Sequence, residues 1–398
     1  MLETPTEVCI SASSINAQSD SDSGSIPVLK SNRQKSNLFG PLRLALAVLV
    51  LFSHCFPLTY GSNKQEPLFS VTQWLTLGIL SVDFFFVISG YLITQSWMRS
   101  ASADDFLRKR LLRIYPGYLV AIVFSIVAGV IGAGELRREY VRQLYVRHHL
   151  VMQEMVFLDG GSLNSAKAFS TNPFPKFVNG SLWTLLPEWR CYTLVLLLGV
   201  LGAFSFRYTG IVAFLIAYVF YAHQVLFLGN PEASLWRLVT FFFSGMAVAT
   251  FPGRLSFLTP RSAAIALCGL VVSARYPMLL GLLLPVLGTI AVLSIGLIPS
   301  DRWSRIFAKW DLSYGAYLYA FPIQQLFVYG LEIRSPWLLL LYSLPATLGA
   351  AGISWLLIEK PALRFGGVKS PSAIDVLVSP VASLATRNHV EPAGLSSV

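Results

Sequence analysis

The chain has 398 residues, 54% hydrophobic and 13% charged, with a mean hydropathy of +0.61. These values exclude an ordinary soluble domain and point to a polytopic α-helical membrane protein. The formal net charge of +10 does not mark a nucleic-acid binder, because the basic residues gather at the ends of apolar segments, where membrane topology accounts for them. The four cysteines, Cys9, Cys55, Cys191 and Cys268, lack paired or metal-ligand spacing, so neither a disulfide framework nor a structural zinc site is expected.

Residues 1–36 are polar and serine-rich and read as a flexible cytoplasmic tail. They lack the basic start and early apolar core of a signal peptide, so the first apolar helix is expected to stay as a membrane anchor. Ten apolar segments follow, at about 40–59, 78–98, 114–133, 181–203, 210–227, 234–252, 262–275, 277–298, 312–330 and 337–358. They predict an all-α transmembrane bundle over 37–365 with about ten crossings, followed by a flexible cytoplasmic tail over 366–398. An even count puts both termini on one side. The segment ends on that side carry most of the lysines and arginines, whereas the short opposite loops hold Lys64, Arg275 and Arg334, so the termini are expected in the cytoplasm. The loop 134–180 departs from this pattern. Its basic stretch GELRREYVRQLYVRHHLVMQEMVFL is predicted to form an amphipathic helix on the membrane surface or over a site. The inverted repeats of many transporters are absent.

Five stretches combine polar and apolar residues in a way that carries chemistry. In NLFGPLRLALAVLVLFSHCFPLTY, eleven helical steps separate Arg43 from His54, which returns the second side chain to within roughly 20° of the first and about 16 Å along the axis. Polar groups this costly inside a bilayer usually face a protein interior, and imidazole is suited to taking a proton near neutrality, so His54 is the expected general base. Cys55 is no partner for it, since consecutive helical residues point about 100° apart. In SVDFFFVISGYLIT, Asp83 is expected either to orient the histidine or to pair with an arginine, and Ser89-Gly90 allows close helix approach. In FLRKRLLRIYPGY, Arg110 and Arg113 share a face and suit phosphate contacts, although positive-inside flanking explains such clusters too. In SLWTLLPEWRCY, Ser181, Thr184, Glu188 and Tyr192 fall on one stripe, a plausible surface for a polyol, with Trp183 beside it. In SYGAYLYAFPIQQ, Tyr314, Tyr317, Phe321 and Gln324 line up at helical spacing, and Pro322 is expected to kink the helix beside a cavity wall.

Taken in order with the closing Ile358-Glu359-Lys360-Pro361, these motifs resemble the integral membrane acyltransferase 3 family across residues 37–365. Bacterial members O-acylate surface polysaccharides, lipopolysaccharide O-antigens, nodulation factors and some antibiotics. The resemblance implies an inner-membrane O-acyltransferase that moves an acyl group, acetyl above all, from acyl-CoA to a sugar hydroxyl of a polysaccharide or glycolipid, with no metal. It implies Arg43 and His54 as the essential pair, Arg110 and Arg113 as contacts to the acyl-CoA phosphates, and Asp83 and Glu188 as the motif acids. Trp183, Tyr192, Tyr317 and Gln324 are the candidate acceptor contacts. Many members have a histidine where this chain has Ala320, and Pro187 and Arg190 interrupt the usual apolar run around Glu188. An appended extracytoplasmic esterase-like domain is not expected. The alternative from another class is a proton-coupled glycolipid transporter or flippase, with His54, Asp83 and Glu188 as coupling residues.

Overall fold

A computed structural model describes residues 37–158, 161, 163–227, 235–251 and 255–366. The expected N-terminal tail, and all but the first residue of the expected C-terminal one, lie outside these residues. Among the described residues the chain is helical, with no strand.

Helix α1 (Phe39–Tyr60) ends at Gly61, whose φ of 74° is left-handed and lets its N–H reach back to Pro57 O. The short α2 (Pro67–Thr72) follows, then α3 (Leu77–Arg99). Buried Glu66 organises this turn: its carboxylate accepts from the backbone N–H of Phe69 and of Leu77, both at 2.8 Å, and from Ser53 Oγ of α1 at 3.4 Å. Helix α4 (Ala103–Gly132) opens with Ser102 as N-cap and with Asp104 and Asp105 in its first turn, which suits the positive end of the helix dipole.

The basic loop folds as two short helices, α5 (Arg137–Val146) and α6 (His148–Phe157), rather than as one. Tyr140 of α5 lies against Gly129 of α4, where an added Cβ would come within 2.4 Å of the hydroxyl. Near the end of α6, Val156 O accepts from Tyr115 of α4. Since Tyr115 precedes Gly129 by fourteen residues, α6 folds back about 21 Å along α4.

The later helices are α7 (Leu185–Val200), α8 (Thr209–Phe227), α9 (Leu235–Thr250), α10 (Pro260–Ser273), α11 (Pro277–Gly296), α12 (Asp301–Lys309), α13 (Ser313–Leu331), α14 (Pro336–Ser354) and α15 (Lys360–Phe365). Between α14 and α15 the backbone makes one π-turn, Trp355–Glu359. Pro361 supplies the cause: it has no N–H to donate and its ring crowds the carbonyl four residues back, so the regular ladder cannot continue.

By length and composition, six helical runs among the described residues are long and apolar enough to cross a membrane: α1, α3, α4, α8, α11 and the continuous run Pro336–Phe365. All ten apolar segments of the sequence fall on helices. Of the other four, α7 has 16 residues, α9 has 16 and α10 has 14, while α13 has 19 but carries four tyrosines and two glutamines.

Packing is tightest between α3 and α9, where backbone meets backbone. A Cβ on Gly90 would lie 1.8 Å from Phe242 O, and one on Gly245 would lie 2.1 Å from Val87 O. Small residues permit such contact where lipid gives helices no hydrophobic drive to associate. Helix α1 packs on α3, α13 and α14, so its polar residues face protein rather than lipid alone.

Candidate active site

A cavity of about 410 Å³ runs between α3, α4, α7 and α13. Its α3 wall extends from Val82 to Arg99, seventeen residues or about 26 Å. Arg99, Lys109 and Arg110 stand at one end, Arg43, Arg113, Glu188 and Tyr192 further in, and Val82, Phe85, Thr184 and Tyr317 at the inner end.

The arginines are held in different ways. Arg110, 9% exposed, donates from Nη2 to Ser96 Oγ at 3.2 Å, and its guanidinium carbon lies 5.8 Å from the Phe106 ring centroid. Arg113, one turn deeper, bonds Asp311 Oδ2 at 2.9 Å through Nη2 and Glu359 Oε2 at 3.2 Å through Nη1, over the ring of Tyr314. Arg43 donates to the same Asp311 oxygen at 3.0 Å. Asp311, 2% exposed in the link between α12 and α13, also accepts from Ser313 Oγ at 2.7 Å. Burial alone pushes the Asp311 carboxyl up, but the guanidinium groups of Arg43 and Arg113 and the Ser313 hydroxyl outweigh burial and hold it down at about 2. Glu359 arrives through the π-turn, with Ser354 Oγ donating to its other oxygen at 3.0 Å.

Deeper in, Glu188 Oε1 accepts from Ser89 Oγ of α3 at 3.0 Å and from the Tyr192 hydroxyl on its own helix. A hydrogen bond of 2.6 Å between Thr184 Oγ1 and the Tyr317 hydroxyl spans the inner end of the cavity.

Of the residues singled out in the sequence, the cavity gathers Arg43, Arg110, Arg113, Glu188, Tyr192 and Tyr317. His54 is not among its walls. The imidazole meets Phe321 edge-on, with ring centroids 5.2 Å apart, and among the described residues its Nδ1 has no hydrogen-bond partner. Phe321 lies four residues beyond Tyr317 on α13, so His54 stands about one turn past the inner end of the cavity. Arg43 and His54 do share a face: the first meets Asp311, just before α13, and the second meets Phe321, ten residues further along.

Asp83, fully buried, takes the second of its two expected roles: it pairs with Arg237 Nε of α9 at 3.4 Å, so it ties α3 to α9 and does not orient His54. Two expected contacts fall elsewhere. Gln324 donates to Leu51 O at 2.8 Å and Cys55 Sγ at 3.1 Å, which fastens α13 to α1 and takes it out of the cavity wall. Trp183 is 51% exposed and outside the cavity; the tighter 3-10 turn at Leu182–Thr184 turns Thr184 inward instead. Ala320 is buried in helix packing.

The sequence reading missed Asp311 and did not assign Glu359 a partner. The available signal was the need of partly buried arginines for carboxylates, which these two acids beside apolar helices supply.

Residues 42–359 match the acyltransferase 3 family, described as an acyltransferase domain. The chain belongs to this family. It is similar to the O-acetyl transferase of Shigella phage Sf6, at 28% identity over 82% of this chain and 96% of that protein. It is likewise similar to Nodulation protein 10 of Rhizobium leguminosarum bv. viciae, at 28% identity over 82% of this chain and 93% of that protein. No solved structure matches. Family membership makes this chain an acyltransferase, and its apolar helices make it a multi-pass membrane protein. The cavity offers guanidinium groups that can bind an anion, and beyond its inner end His54 Nδ1 has no hydrogen-bond partner among the described residues.

Proposed function

We propose that the protein is an inner-membrane O-acyltransferase that moves an acetyl group from acetyl-CoA to a hydroxyl of a surface polysaccharide or glycolipid sugar. The observation that carries this reading is a long cavity with a cationic mouth that stops one turn short of an imidazole whose Nδ1 has no hydrogen-bond partner among the described residues. Guanidinium groups suit the phosphates of a nucleotide donor, and the narrow interior suits its thioester arm. His54 takes the proton of the acceptor hydroxyl as the oxygen attacks the thioester carbonyl; the carbon–sulfur bond then breaks and the thiolate leaves. Arg43, on the same face of α1, lies at the donor side. The chemistry asks nothing of a metal.

The finer topology belongs to the same proposal: about ten crossings, with both termini in the cytoplasm. It is supported by the concentration of Arg99, Lys109 and Arg110 at the cavity mouth, with Arg108 beside them in α4, and of Arg302, Arg305 and Lys309 on α12, which packs beside the start of α1. The acceptor then meets His54 from the opposite side, and lipid surrounds the bundle. The transporter alternative finds no support in the family match, and Asp83, one of its coupling residues, is taken up by Arg237.

The test is His54→Ala, with acceptor acetylation measured in membranes at matched protein abundance. Loss of a general base predicts a fall of about a hundredfold or more. Acetylation at the wild-type level would take the histidine out of the mechanism.

A further inference from the structure

Three of the four cavity arginines, Arg43, Arg110 and Arg113, sit in two kinds of surroundings. Arg43 and Arg113 face Asp311 and Glu359, two cations against two carboxylates, all within 3.2 Å contacts and at most 16% exposed. Each guanidinium group of that cluster has a carboxylate partner. Arg110 differs: its polar contact is the uncharged Ser96 hydroxyl, its Nε has no hydrogen-bond partner, and no carboxylate of the described residues lies within ion-pair distance. It also lies about 4.5 Å nearer the cationic end than Arg113, beside Arg99 and Lys109.

We infer that these arginines divide the work: Arg110 seats the anionic, phosphate-bearing end of the donor, whereas Arg43 and Arg113 form with Asp311 and Glu359 an ion-paired latch that positions α1 against α13. This rests on the donor reading above and changes it, since two residues of matching type and spacing have different roles.

Geometry and charge both argue for the division. One Asp311 oxygen accepts from both Arg43 and Arg113, so it already occupies the place between them that an anion would fill. A phosphate there would have to displace a buried carboxylate and leave it without a partner, whereas Arg110 gives up only a hydroxyl contact. The latch joins α1, α4, the start of α13 and the π-turn after α14. His54 rides on α1 and its ring neighbour Phe321 on α13, so the latch sets the register of the two helices between which the imidazole stands. Asp311 and Glu359 are positioning residues in this scheme.

The experiment compares two donors with the purified full chain in lipid nanodiscs: acetyl-CoA, and S-acetyl-pantetheine, which lacks the nucleotide phosphates. The preference is the ratio of their kcat/KM values. Arg110→Gln is expected to reduce the wild-type preference for acetyl-CoA about tenfold or more, the loss of one charge-assisted phosphate contact. Arg113→Gln and Asp311→Asn are expected to lower kcat with both donors while keeping the preference within about twofold of wild type. Binding of free CoA, read by competition without turnover, covers a latch variant that is inactive and is expected to persist in it. A collapse of the preference or of CoA binding in the latch variants, or an intact preference in Arg110→Gln, overturns the division while leaving CoA as donor. A wild-type protein with no preference for acetyl-CoA overturns the donor reading and the phosphate seat together.

Discussion

Asp311 shows how a single carboxylate can decide the character of a site. It is buried, and one of its oxygens bonds two guanidinium groups from helices far apart in the chain. Removing one partner of a buried ion pair leaves the other charges uncompensated, so Asp311→Ala is expected to cost about 3 kcal/mol or more of stability, read as a lowered Tm in detergent. Asp311→Asn keeps the shape and two hydrogen-bonding groups and should cost less. The pH dependence has a definite sign. A carboxyl held at about 2 in the folded protein contributes stability that is fully present above its unfolded value near 4 and is lost as pH falls through the folded value. The stability that the Asp311 carboxylate contributes is therefore expected to fade as pH drops below about 4, read as a shrinking Tm difference between wild type and Asp311→Asn. Sequence spacing revealed Arg43, Arg110, Arg113, Glu188 and Tyr192, because each lies on a helical stripe with its neighbours. It could not reveal Asp311 and Glu359 as partners: Asp311 lies 268 residues from Arg43, and Glu359 lies 246 from Arg113. Trp183 stands beside the stripe of Glu188, one residue before Thr184, and points outward at 51% exposure while Thr184 lines the cavity.

The helices themselves were legible because apolar runs bounded by proline, glycine and charge leave little choice in a membrane, where every backbone group must be bonded within its own segment. What was not legible is which turn of α1 meets which turn of α13, and that register separates His54 from the cavity it was expected to share. Gln324, expected on a cavity wall, is one of the bonds that set it. The α3–α9 contact offers a test of packing. At Gly90 a Cβ would meet a carbonyl oxygen at 1.8 Å, so Gly90→Ala must push the helices apart and is expected to destabilise by about 1–3 kcal/mol. At Gly349 of α14 nothing lies within 4 Å, and Gly349→Ala is expected to be neutral or to stabilise by up to about 1 kcal/mol. Thermal unfolding of the two variants in the same detergent checks the contrast; equal losses would count against the α3–α9 geometry.

Along the cavity, chemistry and depth run in one order: a basic mouth, an ion-paired latch, the Glu188 carboxylate with its hydroxyl partners, an inner end of mixed apolar and hydroxyl groups, and then an imidazole. In the proposed function this order puts the donor on one side of the membrane and the acceptor on the other. The proposed topology predicts that, in a background without native cysteines, Ser62→Cys is labelled by an impermeant maleimide in intact spheroplasts while Arg305→Cys is labelled only after lysis; the reverse pattern would invert the orientation. The most direct measurement is transfer of labelled acetyl from acetyl-CoA to a glycan or glycolipid acceptor by the purified protein in nanodiscs, wild type beside His54→Ala. Labelled acceptor with the wild type and its loss with His54→Ala is the predicted result. No acetyl-CoA-dependent product from the wild type, or equal product from both proteins, would contradict the account.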